Sequence, residues 1–175
     1  MPAERFVTAL NDQVAAEFAA SHQYVAIAAY YESITLPQLA GFFYRQAVEE
    51  RGHALMMVKY LLDTSSPVAL GPIDAPRTDF TDHIAPIELA LEQERAVSGR
   101  ISELFEVARG EGDYLSEQFV QWFLKEQVEE EATMSELLEV AERVRELPMT
   151  LEEFIAREGP GQQGADPNAP EAAGG

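Results

Sequence analysis

Four helical stripes of apolar residues run through this 175-residue chain, and a carboxylate interrupts each stripe near its middle. The stripes advance in alternating steps of three and four residues, the spacing that places side chains on one face of an α-helix. The four segments are 4–33, 37–63, 84–110 and 113–146. The interrupting residues are Glu17, Glu50, Glu94 and Glu130. The pattern predicts an all-α four-helix bundle with ionisable groups inside its core.

The turns and prolines predict how these helices are connected. Short turns at 33–37 and 110–114 join the helices into two antiparallel hairpins, and Thr35 is expected to open a capping box. Residues 63–82 hold three prolines and no helical period, and such a segment can cross the length of a helix. We therefore expect a long central crossover between the hairpins. Thr150 and Glu153 predict a capped, short fifth helix at 150–158.

The chain is long enough for one well-filled core, and we expect a single helical domain over residues 1–158. From Gly159 onward the sequence has no large apolar residue. A segment of that composition cannot bury a core, so residues 159–175 are predicted to form a flexible C-terminal tail.

An internal repeat relates the two predicted hairpins. Adding 77 to a residue number in the first half gives its counterpart in the second half. Glu17 then matches Glu94, and Met57 matches Met134. The match predicts a pseudo-twofold axis through the bundle.

Six polar side chains are predicted to lie at one height in this bundle. Glu17 and Glu94 each lie 18 residues before a turn. Glu50 and Gln127 each lie 15 residues after a turn, and His53 and Glu130 each lie 18 residues after one. Equal distances from the turn give equal heights in antiparallel helices, so four carboxylates, an imidazole and an amide converge.

The polar layer predicts a metal site. A buried, unpaired carboxylate costs several kcal/mol, and no Lys or Arg lies on the stripes to neutralise these four. Two divalent cations would balance the charge, and Glu50-x-x-His53 places an oxygen and a nitrogen on one helical face. Oxygen-rich ligation with one imidazole favours iron or manganese over zinc.

The composition excludes several classes of function. Acidic residues outnumber basic residues 31 to 12, and a net charge of −19 repels nucleic acid and anionic membranes. The chain has no cysteine, which excludes disulfides, thiolate catalysis and iron–sulfur clusters. The N-terminus has no apolar signal core and no apolar run is long enough to span a membrane, so we expect a cytoplasmic protein.

At these residues the chain resembles a ferritin, and it is most similar to the bacterial non-haem ferritins of the actinobacterial type with an extended C-terminal tail. The resemblance covers residues 5–158. It rests on EERGHA at 49–54, on the QER sequence around Glu94 and on KEQVEEEA at 125–132.

The resemblance implies a role for each residue of the polar layer. Glu17, Glu50 and His53 would hold one iron. Glu94 and Glu130 would hold a second iron, with Glu50 bridging the two.

Further residues around the layer take roles from the same resemblance. Gln127 would contact an oxygen ligand of the second iron, and Tyr24 would be a hydrogen-bond or electron donor beside the centre. Glu49, Glu126 and Glu129 would form a third iron site with Glu130. A solvated acidic face is the alternative for those three residues.

The implied function is iron storage and detoxification. The resemblance implies a ferroxidase that oxidises Fe(II) with O₂ or peroxide and stores Fe(III) mineral inside a cage of 24 identical chains. Bacterioferritins carry an axial haem ligand, methionine, at the position of Arg51, so no haem is expected.

Three alternatives remain open at this point. A di-iron oxidase without storage would share the metal layer, but a second Glu-x-x-His or a cysteine-based electron-transfer site is expected there. A purely structural bundle could use the polar layer to set its register. A DNA-binding mini-ferritin would place its ligands between subunits and would carry a basic tail.

Overall fold

The computed structural model describes residues 2–160 and 166–174 of the chain. It contains five helices, and no strand occurs in these two ranges. The helices are α1 (Glu4–Ser33), α2 (Pro37–Asp63), α3 (Ala85–Gly110), α4 (Tyr114–Arg143) and α5 (Pro148–Glu158). The predicted all-α architecture with a short fifth helix is confirmed.

The connections follow the predicted topology. α1 packs along α2 and α3 packs along α4, while α5 contacts both α2 and α4. The crossover is fixed to the side of α1 by two amide side chains. Asn11 donates to the Pro67 carbonyl at 3.1 Å and accepts from the Ala69 amide at 2.6 Å. Gln23 exchanges two hydrogen bonds of 2.8 Å with the backbone of Arg77.

Two apolar clusters fill the bundle, one on each side of the polar layer. One contains Tyr31, Phe43 and Ile87, and the other contains Leu10 and Phe123. Burial of each large apolar side chain contributes about 1.5–3 kcal/mol. These clusters therefore offset the unfavourable burial of carboxylates between them.

The predicted caps of two helices are wrong. Thr35 does not cap α2, because it has φ 62° after the end of α1 and Leu36 occupies the N-cap position. α5 begins at Pro148 rather than Thr150, without a side-chain cap. The free amides at the start of α2 are instead bound by Glu152 of α5. The backbone amides of Gln38 and Leu39 each donate to one of its carboxylate oxygens, at 2.8 Å.

α4 is also shorter than predicted. It ends at Arg143, with Val144 at the C-cap, whereas the sequence pattern extends the helix to 146. The start is as expected for a capped helix: Asp113 is the N-cap and accepts a hydrogen bond from the Ser116 amide at 3.2 Å.

Candidate metal centre

One group of candidate ligands joins α1 to α2 in the middle of the bundle. Glu17, Glu50 and His53 are 1%, 0% and 3% exposed. Each offers one ligand atom, and these atoms lie within 4.8 Å of one another. His53 Nδ1 lies 3.5 Å from Glu50 Oε2. Glu50 and His53 lie together because they are three residues apart on one helix. Glu17 joins them from α1, at the height that the sequence predicts.

Three carboxylate oxygens in this group are buried and have no hydrogen-bond partner among the described residues. They are Glu17 Oε2 and both oxygens of Glu50. Buried polar atoms are almost always hydrogen-bonded, so such atoms need a physical explanation. Burial raises the pKa of Glu17 and of Glu50 well above the ordinary value. A divalent cation would bind these oxygens and favour their ionised form, so the donor set fits a metal ion.

A second group places Glu94 of α3 between two hydrogen-bond donors. The Tyr24 hydroxyl donates to its Oε1, and Gln127 Nε2 donates to its Oε2 at 3.2 Å. Burial raises the pKa of Glu94, and these two bonds partly oppose the increase. Burial and the nearby Glu94 charge raise the pKa of Tyr24 well above its ordinary value. The phenol is therefore protonated and acts as the donor.

Glu130 completes the inner layer from α4. It is 7% exposed, and none of the ion pairs in the described parts of the chain involves it. Burial, followed by the negative charge of Glu49, raises the pKa of Glu130 to about 9. The isolated carboxyl is thus neutral near pH 7 in the absence of a cation.

An outer group lies beside the inner layer and shares His53 with it. Ligand atoms of Glu49, His53 and Glu126 lie within 4.8 Å of one another. Burial, with the neighbouring Glu129 charge, raises the pKa of Glu126. Glu129 lies 3.6 Å from Lys125 Nζ. A cavity of about 530 Å³ opens onto this group. Two residues of the predicted third site, Glu49 and Glu126, therefore converge with His53, whereas Glu129 pairs with Lys125.

Three further polar residues support the candidate ligands and were not predicted from the sequence. Gln13, 2% exposed, donates from Nε2 to Glu17 Oε1 at 2.8 Å. Gln46 donates to Glu49 Oε2 at 2.9 Å, and Ser98 Oγ lies 3.3 Å from Gln127 Nε2. The only sequence signal for Gln13 is its spacing of four residues before Glu17, which also occurs on many helices that bind no ligand.

The described residues therefore contain two candidate groups of metal ligands, which share His53. Carboxylates suit ions that change charge, because an oxygen ligand can stay bound when Fe(II) becomes the harder Fe(III). Arg51, at the position where bacterioferritins carry methionine, is exposed on α2. Across the described ranges, none of the helices is both long and apolar enough to cross a membrane.

Comparisons with known proteins show which family the chain resembles. The family model for the ferritin-like domain matches residues 7–144. Ferritin BfrB of Mycolicibacterium smegmatis is 51% identical over 171 residues, covering 98% of this chain and 94% of that protein. A bacterial non-heme ferritin of Staphylococcus aureus is 39% identical over 132 residues, covering 75% of this chain and 80% of that protein.

Solved structures give the same result for the fold. An open pore ferritin from the archaeon Archaeoglobus fulgidus superposes with a TM-score of 0.86 at 32% sequence identity. The superposition covers 92% of this chain and 98% of that one. An engineered closed form of the Archaeoglobus fulgidus ferritin gives a TM-score of 0.87 at 31% identity, covering 94% of this chain and 100% of that one.

Proposed function

We propose that this chain, which belongs to the ferritin family, oxidises Fe(II) at its buried carboxylate layer before storage. Iron storage itself follows from the family and from the close curated relatives. The ferroxidase step is our proposal. The observation that carries it is the set of three buried carboxylate oxygens that have no hydrogen-bond partner in the described ranges and lie beside a buried histidine.

Two adjacent iron positions are proposed within one chain. Glu17, Glu50 and His53 bind the first Fe(II), and Glu94 with Glu130 binds the second. Glu50 is proposed to bridge the two positions, since both of its oxygens are free of hydrogen bonds in the described structure. Gln127 and Tyr24 orient Glu94 from opposite sides, and Tyr24 can also supply an electron or a proton.

The proposed reaction balances with either oxidant. Two Fe(II) ions give one electron each to O₂, which takes up two protons and leaves as hydrogen peroxide. With peroxide as the oxidant, the same two electrons and two protons cleave its O–O bond to give two waters. The raised pKa of Glu130 makes this carboxyl a proton source when iron displaces its proton.

Glu49, Glu126 and Glu129, with Glu130, form a proposed third iron position. It is supported by the close approach of Glu49, His53 and Glu126 and by the cavity beside them. A position between solvent and the inner layer suits iron on its way to or from the oxidation site. The alternative of a solvated acidic face would not require these groups to converge.

Assembly and domain organisation follow the family in this proposal. We propose a cage of 24 chains, supported by ferritin structures that superpose over nearly the whole chain. We also propose a helical domain over 1–158 and a C-terminal tail over 159–175, without haem. Residues 161–165 and 175 of that tail lie outside the described residues. The cytoplasmic location stays a prediction from the sequence.

Two of the alternatives are disfavoured by particular contacts. A layer that only sets helix register would satisfy its polar atoms with hydrogen bonds to each other, whereas neither Glu50 oxygen accepts a hydrogen bond from the described residues. A mini-ferritin would need ligands from two subunits, whereas Glu17, Glu50 and His53 converge within one chain.

Aerobic oxidation of two Fe(II) per chain tests the ferroxidase proposal. Wild type, Glu50→Ala and the exposed control Glu92→Ala would be compared by stopped-flow absorbance of the ferric product. We expect the control to match wild type and Glu50→Ala to be slower by about 100-fold, a loss within the range for removing a metal-binding partner. Equal rates for all three proteins would contradict oxidation at this layer.

A further inference from the structure

A short C-terminal segment, residues 166–174, lies across α2 and α4 beside the outer acidic group. The Asp166 carboxylate accepts hydrogen bonds from Trp122 Nε1 at 3.2 Å and from Lys125 Nζ at 3.3 Å. At the other end, the Ala173 amide donates to the Leu55 carbonyl at 3.0 Å. The segment is therefore attached to the bundle at both of its ends.

The charges of the segment match those of the helices beneath it. The whole chain contains only two lysines, Lys59 and Lys125, and the segment contains only two acidic residues. Lys125 lies 3.3 Å from Asp166, and Lys59 lies 3.8 Å from Glu171. Hydrogen bonds from the Asn168 amide and from Trp122 lower the pKa of Asp166 to about 2, so its carboxylate is charged at neutral pH. Both lysines thus face the segment.

The segment forms one wall of the cavity that opens onto the outer acidic group. Asp166, Pro167 and Ala169 line one side of this cavity of about 530 Å³. Glu49 and Glu126, among others, line the other side. A cation that reaches the outer group through this cavity passes along the segment.

The attachment is strong enough to order the segment but weak enough to release it. The lysine side chains are 30% and 61% exposed, and ion pairs at such sites are weakened by water and salt. Pro167 and Pro170 restrict the free segment, which lowers the entropy lost when it attaches. We therefore expect the segment to exchange between attached and released states.

We propose that residues 166–174 form a strap that slows the exchange of cations between the outer acidic group and solvent. The two ion pairs contribute to holding the strap, although Lys59 also binds Asp63 at 2.5 Å. Ionic strength therefore changes how often the strap opens. This inference rests on the proposed function, because it takes the carboxylate layer as the destination of the cation.

The test uses Co²⁺, which binds oxygen and nitrogen ligands but does not turn over with O₂. Binding to the assembled protein would be followed by stopped-flow fluorescence of Trp122, the single tryptophan, whose ring centroid lies 5.7 Å from that of His53. Asp166→Asn with Glu171→Gln removes both ion pairs and leaves α2 and α4 unchanged. Glu139→Gln with Glu142→Gln is the matched control, because it removes the same charge and two exposed ion pairs near the end of α4.

We expect the strap variant to load Co²⁺ about 10-fold faster than wild type at low salt, as for a site open in roughly a tenth of the molecules. Release to a chelator should accelerate by the same factor. Because the screening length falls from about 10 Å at 0.1 M salt to about 3 Å at 1 M, the ratio should approach one at high salt. The control variant should load at the wild-type rate throughout.

Amide exchange at Ala173 reports the strap independently of the metal. Slow exchange in wild type and fast exchange in the strap variant would support the attachment. Equal Co²⁺ loading rates despite this difference would overturn the gating role and leave the proposed function intact. Fast Ala173 exchange in wild type would overturn the strap itself. If neither protein binds Co²⁺, the carboxylate layer is not a metal site and both proposals fail.

Discussion

Single residues at the centre divide into candidate ligands and the side chains that orient them. Among the described residues, none donates a hydrogen bond to either oxygen of Glu50, whereas Gln13 donates to one oxygen of Glu17 and leaves the other free. The difference suggests that Glu50 can bridge two ions while Glu17 binds through one oxygen. The two following predictions separate these roles.

Replacing Glu50 by Gln should stabilise the metal-free protein. Glutamine has a similar volume but cannot ionise, and the carboxylate it replaces is buried without a hydrogen bond from the described residues. We expect the unfolding temperature near pH 8 to rise by about 2–4 °C, which corresponds to about 1 kcal/mol in a chain of this size. Co²⁺ should raise the unfolding temperature of wild type, and it should raise that of the variant much less. Thermal unfolding with and without Co²⁺ measures both effects.

The exposed substitution Glu92→Gln serves as the control and should change neither value. A metal-free Glu50→Gln protein less stable than wild type, with an undiminished response to Co²⁺, would show that Glu50 does not bind the metal.

Replacing Gln13 by Leu should weaken binding at the first cation position by about 10-fold, the lower end of the range for partners that orient a ligand. The reason is that Glu17 Oε1 loses its donor and the carboxylate can rotate. Calorimetric titration with Co²⁺ measures the affinity, and the exposed change Gln118→Leu is the control. An unchanged affinity for Gln13→Leu would assign Gln13 to core packing alone.

At this scale the candidate ligands were predictable and their supporting residues were not. Glu17, Glu50 and His53 interrupt an apolar periodicity, and that interruption is visible in the sequence. Gln13 and Gln46 also lie on helices, but glutamine is an ordinary helical residue. Only the observed hydrogen bonds to Glu17 and Glu49 show what these amides do.

At the scale of helices, the contact between α5 and the start of α2 is the feature that the sequence did not predict. Glu152 is 4% exposed and binds the Gln38 and Leu39 amides with both oxygens. A carboxylate is also favoured there by the partial positive charge of a helix N-terminus. α5 is therefore joined to the bundle by polar as well as apolar contacts.

Replacing Glu152 by Ala should destabilise the protein by about 1–3 kcal/mol, because two buried amides lose their acceptor. The exposed neighbour Glu153→Ala should have little effect. Chemical unfolding gives the free energy, and amide exchange at Gln38 and Leu39 localises the change. Unchanged exchange at those two amides would show that other acceptors satisfy the start of α2.

Helix positions were predictable because apolar periodicity and proline fix them, and α2 begins at Pro37 as expected. The ends were less predictable. Thr35 and Pro37 fit a local cap pattern, but the residue that binds the amides, Glu152, is more than a hundred positions away in sequence. Such a long-range cap depends on how α5 packs, and local sequence carries no information about it.

At the scale of the whole molecule, the stability of the metal-free chain should depend on pH in an unusual direction. In the unfolded chain Glu130 ionises near 4.5, whereas the fold raises its pKa to about 9. The folded protein therefore binds more protons between these values, and its stability falls as pH rises through that window. Burial acts in the same direction on the pKa of Glu17, Glu50 and Glu94.

Thermal unfolding between pH 5 and pH 9 measures this dependence in metal-free protein. We expect the unfolding temperature to fall across the range and to recover when Co²⁺ is added. Cation binding should also release protons, which calorimetry in buffers of different ionisation enthalpy would detect. A metal-free unfolding temperature that rises steadily from pH 5 to pH 9 would contradict the buried, protonated state of the layer.

Storage is the property of the assembled molecule, and iron loading tests it most directly. Metal-free wild type and Glu50→Ala would receive tens of Fe(II) per chain in air, followed by size exclusion with protein and ferric absorbance recorded together. We predict that wild type elutes as a large assembly carrying far more than two irons per chain, while Glu50→Ala loads slowly. Elution of wild type as a small oligomer with two irons or fewer per chain would contradict storage by this protein.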